Sequence, residues 1–179
     1  MTDLSITEPV DYLLIGHVTQ DLTAQGPTLG GTVTYAALTA KAFNLSVGVV
    51  TSCRQDLALE ELNGIHVYRK GSRETSTFIN TYTPAGRVQH VKSTADPLSL
   101  ADVPAAWRNA SIVHLGPVLH EIEMDLVGAF SRSMVGLTPQ GWLREWNAEG
   151  LINACAWSDA ARILSKAQAA VISVEDVHG

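Results

Sequence analysis

The stretch "LGGTVTYAALTAKAFNLSVGVVTSC", residues 29–53, decides the fold. A glycine pair, Gly30-Gly31, opens an alanine-rich run from Tyr35 to Phe43 that favours helix. The β-branched segment Leu45 to Cys53 follows and reads as a buried strand. Upstream, "DYLLIGHVTQDL" carries a continuous apolar run from Tyr12 to Ile15, closed by Gly16, which suits a strand buried on both faces. Strand, helix and strand in that order form a βαβ unit, whose crossover should be right-handed. The glycines have two readings. They make a tight strand-to-helix turn, or they let a ligand come closer to the backbone than a Cβ would allow.

Beyond this unit the pattern changes. "HVYRKGSRETSTFINTYTPAGRVQHVKS" alternates polar and apolar residues, most clearly over Ser76 to Tyr82 and Val88 to Val91, with the turn "TPAGR" between. That pattern predicts an antiparallel hairpin with one wet face. The α/β rhythm then resumes. "ASIVHLGPV" is a strand, "EMDLVGAFSRS" a helix, "MVGLTPQGW" a strand ending in a loop, "AWSDAARILSKA" a helix and "AAVISVEDV" a last strand. The Ser158-Asp159 pair marks the start of the second of these helices.

Composition narrows the function. The 179 residues are 46% hydrophobic and 17% charged, which describes a core-forming globular chain. A formal net charge of −6 argues against nucleic acid or an anionic membrane as partner. Cys53 and Cys155 stand far apart with no C-x-x-C, as expected of reduced thiols in a cytoplasmic protein. The acidic, proline-containing N-terminus is unlike a signal peptide, and no apolar run is long enough to span a bilayer.

Few residues point to chemistry by themselves. Asp21 follows the first strand closely, so it is either a carboxylate for substrate hydroxyls or a turn residue. The six histidines show no metal-binding spacing, and Trp142 and Trp146, four apart, read as one packed helix face. No G-x-S-x-G, G-x-G-x-x-G or Walker motif is present.

The order of these parts is more informative. A strand, Asp21, a glycine pair, a helix, a strand, a hairpin and further α/β together resemble the N-terminal part of the PfkB/ribokinase family of carbohydrate kinases. The matching stretches are "LLIGHVTQDLT", residues 29–53, "TSTFINTYTPAGRVQHV", "VHLGPV", "GLTPQGWLR" and "AAVISVEDV". The resemblance implies a mainly parallel sheet flanked by helices, with a small β-sheet lid built from about 19–29 and 74–92. It implies ATP-dependent phosphotransfer to a sugar or polyol hydroxyl, with Mg2+, and "TPQGWLR" looks like inositol-kinase-type members.

By the same resemblance Asp21 matches the sugar-hydroxyl aspartate. Gly30, Gly31 and Thr32 match the di-glycine turn, and Thr77 or Phe78 faces the sugar from the lid. Tyr35 stands where the family usually has asparagine, which shifts the expected substrate away from ribose-like sugars. The N-x-x-E motif falls on Ser173–Asp176 and leaves Asp176 as the metal-associated acid. The family's G-x-G-D, which carries the catalytic base, does not occur in these 179 residues. The chain is therefore expected to be an N-terminal portion that supplies the substrate-binding half and is inactive alone. The alternative is a non-catalytic sugar- or polyol-binding or regulatory protein derived from that family. Self-association is expected through the lid or through an uncovered sheet edge.

Overall fold

The computed structural model describes residues 4–84 and 86–176. Its centre is a six-stranded sheet. In chain order the strands are β1 (Tyr12–Ile15), β4 (Val47–Cys53), β5 (His66–Gly71), β8 (Ile112–Leu115), β9 (Met134–Leu137) and β12 (Ala169–Ala170). They lie in the order β12-β9-β8-β1-β4-β5, and every neighbouring pair is parallel.

Both faces of the sheet are covered, which explains the unbroken apolar runs. Leu13 and Ile15 point into one cluster with Val50, Trp107, Val113 and Leu115. Leu14 points the other way, into Val33, Ala37 and Val49. All three β1 side chains have no exposed surface, and burial of each is worth about 1.5–3 kcal/mol. Helix α1 (Thr32–Ala42) closes the second face through Val33, Ala37 and Ala40.

The first face is covered differently from the sequence expectation. "EMDLVGAFSRS" does not form an α-helix. It contains one 3-10 segment, Met124–Ala129, in a stretch weakened for helix by Asp125 and Gly128. Helix α2 is shorter than predicted, Ala160–Leu164. It must end there because Gln168 has to reach β9, where its backbone N–H donates to Val135 O at 2.9 Å and its Oε1 accepts from Val135 N at 2.7 Å. The last strand is also shorter: only Ala169–Ala170 join the ladder. Their partner β9 ends at Leu137, and Pro139, which has no N–H, begins a 3-10 turn. Val177, at the end of the predicted strand, lies outside the described residues.

A second sheet of four strands stands apart from the first. It contains β2 (Thr19–Thr23), β3 (Gly26–Gly30), β6 (Thr77–Thr83) and β7 (Gly86–Ser93) in the order β3-β2-β6-β7. The β2–β3 and β6–β7 pairs are antiparallel and β2–β6 is parallel. The predicted hairpin is β6–β7. Strand β5 is a correction, because "HVYRKG" was read as part of the alternating region and instead extends the parallel sheet. It is an edge strand whose residues are mostly half-buried, and an edge strand imitates the pattern of a half-wet hairpin.

A third small element is the antiparallel pair β10 (Arg144–Trp146) and β11 (Ile152–Ala154). It separates Trp142, in the 3-10 turn Pro139–Leu143, from Trp146 in β10. The two tryptophans therefore share no helix face. Trp142 is buried, donates Nε1–H to Ile122 O at 3.1 Å and packs on Trp157.

Candidate functional site

The site forms where the second sheet faces the carboxyl ends of β1 and β8. In open α/β sheets this end is where loops leave the framework and ligands bind. The chain turns out of β1 at Gly16-His17. His17 is fully buried; its Nε2 donates to Asp96 O at 3.0 Å and its Nδ1 lies 2.7 Å from the Ser76 hydroxyl. Glu121, also buried, accepts from the backbone N–H of His17 (3.2 Å), Val118 (2.9 Å) and Leu119 (2.8 Å). One carboxylate thus ties the loop after β8 to the exit of β1, with three charge-assisted bonds.

The strand period of two then selects the residues that face the cleft. From β2 these are Thr19 and Asp21, from β6 Phe78 and Asn80, and from β7 Arg87 and Gln89. With Gly31, Thr32, Tyr35, Val118, Gln140 and Arg144 they enclose a cavity of about 210 Å³. Asn80 and Gln89 are directly opposed across the hairpin, and Gln89 Nε2 donates to Asn80 Oδ1 at 2.8 Å. Gln140 Nε2 donates to the Thr32 hydroxyl at 2.8 Å, and its Oε1 accepts from Arg144 at 3.0 Å. Arg144 also donates to Val118 O at 3.3 Å and Asp176 Oδ1 at 2.9 Å. The floor of the cleft is therefore wired from the start of α1 to Asp176.

The glycine pair has a direct structural cause. A Cβ on Gly30 would stand 2.7 Å from Asp21 Oδ2 and 2.8 Å from Thr19 Oγ1. Gly31 has φ +91°, and a Cβ there would approach His17 O to 2.6 Å. Both positions need glycine before any ligand is considered. Gly31 also precedes α1 without a side-chain cap, so donors of the first helical turn remain for a polar ligand or water.

The residues expected to form the site separate into two groups. Asp21, Gly31, Thr32, Tyr35 and Phe78 meet at one cavity. Gly30 lies immediately behind Asp21. Thr77 is on the opposite face of β6: its hydroxyl donates to Thr75 O at 2.8 Å, and it lines a different cavity with Gln20 and Thr28. Asp176 is buried and ion-paired with Arg144 at 2.9 Å. Among the described residues no three His, Cys, Asp or Glu side chains gather to hold a metal ion.

Charge in the cleft is balanced. Burial raises the Asp21 carboxyl above its ordinary range, while Arg87 draws it back. Burial likewise lowers the Arg144 guanidinium, opposed by Asp176. Outside the cleft, His114 lies with Nδ1 3.1 Å from the Tyr12 hydroxyl and Nε2 3.0 Å from the Thr138 hydroxyl. Burial lowers its pKa to about 4.

Asn80, Arg87, Gln89, Gln140 and Arg144 were not predicted. Once Phe78 is assigned to the cleft, alternation adds Asn80, and antiparallel pairing adds the β7 residues across from it.

Comparison with known proteins bears on the fold. No protein-family model and no curated protein matches the chain. Solved structures do, and their fold is the ribokinase-like α/β fold. A pyrophosphate-dependent kinase in the ribokinase family, complexed with a pyrophosphate analogue and myo-inositol, is 23% identical with a TM-score of 0.78; the match covers 92% of this chain and 62% of that one. A sulfate complex of a pyrophosphate-dependent kinase of the ribokinase family gives 24% identity and a TM-score of 0.76 over 89% of this chain and 60% of that one. Ribokinase from Giardia lamblia gives 16% and 0.61, over 90% and 61% respectively. The chain thus spans about three fifths of the length of these kinases. Among the described residues no helix is long and apolar enough to cross a membrane.

Proposed function

We propose that this chain is the acceptor-binding part of a carbohydrate kinase of the ribokinase type, holding a sugar or polyol for phosphorylation. The observation that carries the reading is Asp21. It lies against the Gly30-Gly31 turn, in a cavity roofed by amide side chains of the second sheet. In this role Asp21 accepts hydrogen bonds from two neighbouring hydroxyls. Asn80, Gln89 and Gln140 offer both donors and acceptors, as a ring of hydroxyls requires. Phe78 and Val118 supply the apolar surface, and Tyr35 stands at the mouth. The second sheet acts as the lid, excluding water that would compete as phosphoryl acceptor. A cyclitol such as the myo-inositol of the pyrophosphate-dependent neighbour is the first substrate to test.

ATP and Mg2+ are the donor and cation this reading expects of a complete kinase. Among the described residues no three His, Cys, Asp or Glu side chains gather, and the 179 residues carry no Walker motif. The proposal therefore concerns the acceptor. A cytoplasmic location belongs to the same reading and rests on the two free cysteines. A second reading is a sugar- or polyol-binding or regulatory protein without phosphotransfer.

The test is calorimetric titration with myo-inositol, ribose and fructose, on the native chain and on Asp21→Asn. Removing a charged acceptor costs about 1.5–3 kcal/mol, so affinity should fall roughly 10- to 100-fold. Failure of every polyol to bind, or unchanged binding by Asp21→Asn, would sink the acceptor reading. Phosphorylation by the chain itself would dismiss the non-catalytic one.

A further inference from the structure

Arg144, Gln140 and Thr32 all line the cleft and are joined end to end. The first of them can only donate, because a guanidinium has N–H groups and no acceptor. Arg144 is buried and is also held by Val118 O and Asp176 Oδ1. The Gln140 atom that faces it at 3.0 Å must therefore be the carbonyl oxygen, so this amide cannot turn over. Its other end is the NH2 group, which donates to the Thr32 hydroxyl at 2.8 Å. A hydroxyl that accepts in this way still has its own proton to give. Among the described residues the Thr32 hydroxyl makes no other hydrogen bond. The Thr32 methyl lies against Gly116, where a Cβ would stand 3.0 Å from it. A methyl seated there fixes the β-branched side chain and keeps the hydroxyl on the Gln140 side.

The cleft thus contains two groups of fixed and opposite polarity. An ionised Asp21 only accepts, and Thr32 is left to donate; both line the same cavity. Asn80 and Gln89 are not pinned in this way. If both of their amides turn over, the hydrogen bond between them is kept with donor and acceptor exchanged. The lid amides adapt to a ligand, and the Thr32 end does not.

We propose that Arg144 and Gln140 determine specificity in the cleft by holding the Thr32 hydroxyl as an obligatory donor. The ligand they select carries one hydroxyl that donates to Asp21 and, elsewhere on the molecule, an oxygen that accepts from Thr32. That second oxygen need not carry a proton, so a ring, ether or keto oxygen serves there as well as a hydroxyl. This role rests on the acceptor reading and adds to it the direction of each hydrogen bond.

The test is calorimetry on the full chain with whichever of myo-inositol, ribose and fructose binds most tightly. Its deoxy and deoxyfluoro analogues are then compared one position at a time. Fluorine accepts a hydrogen bond but cannot donate one. Loss of one neutral hydrogen bond lowers affinity roughly 2- to 10-fold. One position should lose this much on deoxygenation and regain most of it with fluorine, and this is the oxygen that Thr32 serves. At the position served by Asp21, fluorine should be no better than hydrogen. Thr32→Val should weaken the parent polyol by a similar factor and erase the fluorine preference, whereas Thr32→Ser, which keeps the hydroxyl, should retain it. Gln140→Glu accepts from both Arg144 and Thr32, so it turns the hydroxyl proton away from the ligand. It should erase the preference too, and change nothing further in a Thr32→Val background. Circular dichroism checks that each variant is folded. The proposal is overturned if a polyol binds but no position prefers fluorine to hydrogen, or if Gln140→Glu keeps the preference. The acceptor reading then survives if Asp21→Asn weakens binding. If Asp21→Asn changes nothing while Thr32→Val erases the preference, the acceptor reading fails and the Thr32 donor stands. If no polyol binds the native chain, both fall.

Discussion

Replacing Arg144 by methionine is the most informative single perturbation of this cleft. Arg144 is 6% exposed and Asp176 is 7% exposed, and the bond between them is 2.9 Å. Arg144→Met leaves the Asp176 carboxylate buried without its counterion and deprives Gln140 Oε1 and Val118 O of a donor. Breaking one side of a buried pair costs about 3–5 kcal/mol, most of it from the charge left behind. For a chain of this size each kcal/mol lowers Tm by about 2–4 °C, so a fall of roughly 6–20 °C is expected. Because the cost arises from the stranded carboxylate, Asp176→Leu in the same chain should recover most of it. Urea unfolding followed by tryptophan fluorescence at pH 7 measures both quantities. A single variant within about 1 kcal/mol of wild type, or a double variant no better than the single, would refute the reasoning.

Other outcomes follow from other parts of the molecule. Gly31→Ala should destabilise by about 1–3 kcal/mol, since φ +91° and the His17 carbonyl both oppose a Cβ; a thermal melt indistinguishable from wild type would dispose of the strain argument. His114 has a folded pKa of about 4 against 6.5, so the unfolded chain binds the proton more readily and stability declines as pH falls from 6.5 to 4. The full contribution is about 3 kcal/mol, and His114→Gln should show a correspondingly shallower decline in urea midpoints over that range. At the sheet edge beyond β12, Val171 is 68% and Val174 82% exposed, and such an edge invites pairing. The chain should self-associate by light scattering and become less associated in Val171→Lys; a wild type that stays monomeric at high concentration contradicts this.

The parts of the fold legible in the sequence were those where burial leaves one reading. Tyr12–Ile15 is an apolar run and every residue of Val47–Cys53 is buried because both faces of the sheet are covered, and β-branched, apolar-rich runs of this kind have few other causes. Strand β5 was missed for the converse reason, since its half-wet edge position alternates like a hairpin. The short α2 and β12 depend on a partner elsewhere, Val135 and Leu137 of β9, which no local pattern reports. Within the site, Asp21 and the glycines were reached through the order of the parts and the resemblance it carries, since singly they read as ordinary turn residues. Arg144 and Gln140 were not, because polar residues after a strand look like any solvated loop until the tertiary contacts bury them.

The parallel pairing of β2 with β6 has a kinetic consequence. Gln20 meets Thr77 and Leu22 meets Ile79, so this ladder joins segments separated by the whole of α1, β4 and β5. Closing so long a loop is entropically costly until those intervening elements are in place. The second sheet should therefore assemble after β1, α1, β4 and β5 have formed, which makes the cleft one of the last features to appear during folding. A molecule bound between the two sheets would then act on the unfolding limb of a chevron, slowing escape from the native state while leaving the refolding rate nearly unchanged.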